Sequence, residues 1–84
     1  MLMGLLPRVL AAADPEVARV VASIATEQGE LRATAVKTYA AGCRGKNRFA
    51  FRRNADALEA LRPMFRDESS SVRLAALDLT PCYE

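Results

Sequence analysis

Histidine and tryptophan are missing from this 84-residue chain. Histidine is the side chain that most often serves as proton acceptor or metal ligand near neutral pH, so its absence argues against acid-base, nucleophilic and zinc chemistry. Cysteine is scarce, with only Cys43 and Cys82, one at mid-chain and the other near the end. A secreted domain this small ordinarily needs several bridges, so the expectation is a pair of free thiols in an intracellular protein, with one disulfide as the alternative. No glycine-rich phosphate loop is present. Long hydrophobic runs are lacking too: Met1 to Leu6 is cut by Pro7 and Arg8, too short for a membrane span or a signal core. A cytoplasmic location is favoured. The acid-free stretch from Met1 to Ala13, which carries Arg8, leaves organelle targeting as the alternative.

The last scarcity is of β-branched residues, and it sets the fold class. Val, Ile and Thr taken together are outnumbered by Ala alone, and Leu is nearly as common as the three combined. That balance favours helix over strand. An all-α fold follows, in one small domain that buries only roughly 60–65% of its unfolded surface. Alanine fills little volume, so the core must be thin.

Helical spacing divides the chain into five segments. Leu2, Leu5, Leu6, Val9, Leu10 and Ala13 form the face of a first helix, begun or bent at Pro7. Asp14-Pro15-Glu16 marks the start of a second: a cap acceptor, a proline at the first position and an acid in the first turn. Its face is Val17, Val20, Val21, Ile24 and Ala25, and Gly29 is its left-handed stop. A third, Glu30 to Ala41, presents Leu31, Ala35, Val36, Tyr39 and Ala40. Asn54 caps a fourth with Leu58, Leu61, Met64 and Phe65, interrupted at Pro63. The fifth carries Val72, Ala75, Ala76 and Leu79 and is expected to end at Thr80-Pro81. The core is expected at Leu10, Val21, Ile24, Leu61 and Phe65, with Tyr39 beside them and Val17 and Val72 as equivalent knobs.

Periodicity fails between residues 43 and 54, which read as an irregular basic insertion. Arg44, Lys46, Arg48, Arg52 and Arg53 occur there with no acid, whereas residues 1–42 are neutral and residues 55–84 carry net charge −3. Phe49 and Phe51 alternate among these cations. Arg and Lys can neutralise phosphates and Phe can stack on bases, so the segment Arg44 to Arg53 is the candidate contact for nucleic acid or another partner. The alternative is a solvated loop whose two Phe pack back on the helices while its charges meet the acidic C-terminal third. Cys43 lies beside Arg44 and Lys46, a setting able to activate a thiol, but the expectation is a merely loop-adjacent cysteine. The acid pairs Asp14/Glu16 and Asp67/Glu68 are explained by helix starts.

Sliding the chain along itself until Met3 meets Leu58 also aligns Leu6 with Leu61, Val9 with Met64, Leu10 with Phe65, Val17 with Val72 and Ile24 with Leu79. Every pair is apolar. Removing the basic insertion brings the offset to about 43, within the period of two- and three-helix solenoids. Gly4-Leu5-Leu6-Pro7-Arg8-Val9-Leu10, then Asp14-Pro15-Glu16-Val17, Ile24-Ala25 and the helix from Glu30-Leu31-Arg32 to Gly42 resemble an armadillo repeat. Ser71-Val72-Arg73-Leu74-Ala75-Ala76 is similar to a HEAT repeat as well. The resemblance implies a short right-handed α-solenoid: a first repeat with its linking helix over 1–42, the basic loop over 43–54 and a second helix pair over 55–84. It also implies a concave surface for a protein partner. The Trp and Asn ladders of peptide-binding armadillo arrays are not implied, because Ser23, Glu27, Asp78 and Cys82 stand at the matching positions.

Solenoids usually need at least three repeats, and about two are present, so a longer array, a docking subunit or self-association is expected. The expected function is a non-catalytic protein-interaction or scaffold module with no cofactor, membrane or small-molecule substrate. The alternative is a small RNA- or single-stranded-DNA-associated protein using Arg44, Lys46, Arg48, Phe49, Phe51, Arg52 and Arg53.

Overall fold

Proline and asparagine place the helix starts where local chemistry requires them. In the structure, a computed structural model describing residues 14–83, Asp14 accepts a hydrogen bond from the Glu16 N–H at 2.8 Å and opens α1, Pro15–Thr26. Gly29 has φ +58°, the left-handed turn that lets α2, Gly29–Gly42, fold back on α1. A short helix α3, Arg48–Arg52, follows. Asn54 then accepts from the Ala57 N–H at 2.9 Å and starts α4, Ala55–Leu61. The chain continues as a 3-10 turn, Arg62–Arg66, then α5, Ser70–Ala76, a 3-10 turn at Leu77–Leu79, and α6, Thr80–Tyr83. Among the described residues the fold is all-helical, and none of its helices is long and apolar enough to cross a membrane. The first expected helix, with Leu10 and Met3, Leu6 and Val9 of the repeat, lies outside the described residues.

α2 is the central element, packed along α1 on one side and α5 on the other. Its inward side chains include Ala33, Ala35 and Ala40, and α5 answers with Ala75 and Ala76, so small side chains let the helices approach closely. Val17, Val21, Ile24, Val36, Tyr39, Phe51, Leu61, Met64, Val72 and Leu79 fill the space between, each essentially fully buried. The aligned pairs Val17/Val72 and Ile24/Leu79 are therefore all core positions.

Four local expectations are corrected. Phe65 is 39% exposed rather than core. Pro63 draws the chain into the tighter 3-10 geometry, in which residues three apart eclipse; Met64 thus lies directly over Leu61, and Phe65 is rotated outward. Leu31 is 64% exposed, because it stands about 140° around α2 from the inward line through Val36. Arg32 takes the inward place. Thr80-Pro81 does not end the last helix but begins α6, where the missing proline N–H has no partner to lose. Finally, the basic segment is not wholly irregular, since α3 forms inside it.

A fifth correction concerns the thiols. Cys43, at the end of α2, and Cys82, in α6, are joined by a disulfide with Cα atoms 5.5 Å apart. α5 and α6 run parallel to α2, with Ser71 beside Glu30 at one end and Asp78 beside Arg44 at the other, and this brings together two residues that sequence distance keeps apart.

Candidate functional site

The basic segment is assembled on an aromatic anchor. Phe51 is buried, its ring meeting that of Tyr39 edge-on at 4.8 Å, and the Tyr39 hydroxyl donates to the Phe51 carbonyl at 2.6 Å. Burial pushes the Tyr39 phenol up, with a smaller push from Tyr83, so it stays a neutral donor. Gly42 is required by this packing: a Cβ there would lie 2.6 Å from the Phe51 ring. The disulfide fixes the same corner from the other side.

Two residues apart on a helix means about 200° around it, so anchoring Phe51 inward throws Phe49 outward. Phe49 is 58% exposed. The pair is therefore divided: Phe51 is corrected from a contact residue to a core residue, and Phe49 alone stays available. The guanidinium carbons of Arg48 and Arg53 lie 5.1 and 5.0 Å from the Phe49 ring centre, within cation–π range.

Three of the cations are held by backbone carbonyls. Arg52 Nε donates to the Cys43 carbonyl at 2.7 Å, Arg48 Nη1 to the Gly45 carbonyl at 3.3 Å, and Arg44 Nη2 to the Asp78 carbonyl at 3.4 Å. Lys46 is exposed. The ion pairs Arg32–Asp67 and Arg62–Glu59 involve none of Arg44, Lys46, Arg48, Arg52 and Arg53. Glu16 is engaged instead by Asn47 Nδ2 at 3.1 Å, which ties the segment to the start of α1.

Comparison with protein-family models, curated proteins and solved structures finds no match. Function is therefore argued from the surface itself. Cys43 has no thiol to activate, its sulfur being bonded to Cys82. Among the described residues no three Cys, Asp or Glu side chains gather as a metal site.

Two features escaped the sequence reading. The first is the Arg32 hub: its Nε donates to the Ile24 and Glu27 carbonyls at 2.9 and 2.8 Å, closing the end of α1, while Nη1 reaches Asp67 at 2.7 Å. Burial alone would raise the Asp67 carboxyl, but the Ser69 N–H and the Arg32 and Arg73 charges hold it below its ordinary value. The second is a pair of grooves flanking α2. Leu31, with Arg19, Ser23 and Thr34, lines the one toward α1. Leu74, with Glu30, Lys37 and Asp78, lines the one toward α5. A leucine that falls off the buried stripe of its helix is the signal that marks such positions.

Proposed function

We propose that this chain is a non-catalytic protein-interaction module, built as a short right-handed α-solenoid of armadillo/HEAT type from about two repeats. The observation that carries the reading is the uncovered leucines along α2 and α5 and just beyond: Leu31 is 64%, Leu74 70% and Leu77 62% exposed. Burying each such side chain is worth roughly 1.5–3 kcal/mol, so a partner covering the two grooves recovers stabilisation that the thin core does not supply. The equivalent burial of Val17 with Val72 and of Ile24 with Leu79 supports the two-repeat layout. Glu30, Lys37 and Asp78 beside the leucines supply a polar rim of both signs, as interaction surfaces do around their apolar centres.

Size-exclusion chromatography with light scattering, on the chain alone and after co-purification, tests this reading. The expected result is self-association or a defined complex that Leu31→Glu with Leu74→Glu abolishes while the melting temperature stays unchanged. A monomer that binds no apolar-surface dye, and captures the same proteins with or without those substitutions, overturns it.

A further inference from the structure

Between residues 43 and 66 the chain carries seven cations and two carboxylates. Of the two, Glu59 pairs locally with Arg62 at 3.4 Å. Arg44, Arg48 and Arg52 are oriented by backbone carbonyls, and Arg53 lies over the Phe49 ring. A carbonyl fixes a guanidinium without cancelling its formal charge, so the positive potential stays at the surface. Outside the described residues, Met1 to Ala13 contain no acid and Glu84 is the one acidic side chain.

Charge alone would attract any polyanion. What narrows the choice is Phe49, an exposed ring with a guanidinium on either side of it in sequence and within 5.1 Å in space. The residue is 58% exposed, and a polyanion made only of carboxylates offers the ring no aromatic face to stack on. Unpaired bases do, and the phosphates linking them match the surrounding cations. A duplex fits poorly, because α3 has only five residues and offers no long helix to enter a major groove. Phe51, Tyr39 and the Cys43–Cys82 bridge tie down the turn that presents Phe49, which lowers the ordering cost of binding.

We propose that the Arg44–Arg53 segment is a sequence-tolerant site for single-stranded nucleic acid, with Phe49 stacking on a base and Arg48, Arg53, Arg52 and Lys46 contacting phosphates. The site is separate from the leucine-lined grooves and does not depend on the interaction reading above.

Fluorescence anisotropy of the full chain with labelled oligothymidylate and oligouridylate, over a salt titration, tests the proposal, with polyglutamate as the control polyanion. Both oligonucleotides are expected to bind, and polyglutamate to bind much more weakly. Arg48→Gln with Arg53→Gln should flatten the log affinity against log salt slope by about 1.4, at about 0.7 per lost phosphate contact. Phe49→Ala should weaken binding roughly 5-fold or more with the slope unchanged. Leu31→Glu with Leu74→Glu should leave it intact. Arg48, Phe49 and Arg53 are all exposed, so an unchanged circular dichroism spectrum is expected of each variant. Absence of oligonucleotide binding at low salt, equal binding of polyglutamate, or a Phe49→Ala variant of undiminished affinity each overturns the proposal.

Discussion

The two ends of α2 are built by different physics. At its N-terminal end a charge does structural work: Arg32 is largely enclosed, holds two carbonyls of the α1 terminus and pairs with Asp67 from the 3-10 side. At its C-terminal end the structural work is done by a disulfide and an aromatic pair, and the ion pairs Arg32–Asp67 and Arg62–Glu59 involve none of the five cations nearby. The contrast teaches that arginine content says little about role. One arginine is consumed by the fold, while others are displayed because the fold is held by something else.

The largest test of this contrast is Phe51→Ala, which removes the anchor of the C-terminal end. It should cost roughly 3–5 kcal/mol in chemical denaturation, as expected for deleting a buried phenyl ring. A loss under about 1 kcal/mol would mean that the disulfide alone holds that end. Cys82→Ala comes next. Opening a loop with its ends 39 residues apart should cost about 2–4 kcal/mol, and reductant should destabilise the unmodified chain by a similar amount.

Arg32→Ala probes the other end and should cost about 1.5–3 kcal/mol, because it strands Asp67 and uncaps α1. The same pair gives a pH signature. The Asp67 pKa is lower folded than unfolded, so its stabilising contribution is complete above the ordinary aspartate value of 3.8 and is lost as pH falls through the folded value. Denaturation midpoints measured at pH values below the ordinary aspartate range should fall less steeply in Asp67→Asn than in the unmodified chain. The smallest effect is expected for Arg53→Gln, within about 0.5 kcal/mol of the unmodified chain. If it cost as much as Arg32→Ala, the distinction between consumed and displayed arginines would fail.

Much of the helical layout was legible because its causes are local. Asp14-Pro15 and Asn54 cap helices with side chains that reach only two or three residues, and Pro63 alters the backbone at its own position. The burial of Val17, Val21, Ile24, Leu61 and Val72 followed from the periodicity of single helices. The candidate site was legible as a charged segment but not as a geometry. Alternation of Phe49 and Phe51 looked like two exposed rings in a loop, whereas one short helix turn places them on opposite sides. Leu31 failed for a related reason: a stripe can be drawn through Leu31 and Ala35, but the inward line of α2 runs through Arg32.

By itself, then, the sequence determined the helical class, the capped helix starts and the concentration of positive charge in one segment, since composition and contacts within a turn depend on no other part of the chain. Tertiary structure decided the Cys43–Cys82 bond, the Arg32–Asp67 pair and which phenylalanine remains in water. Each rests on residues brought together from 12 to 39 positions apart, the Tyr39–Phe51 bond being the nearest and the disulfide the farthest. Such meetings depend on the path of the whole chain around α2, which local periodicity does not encode.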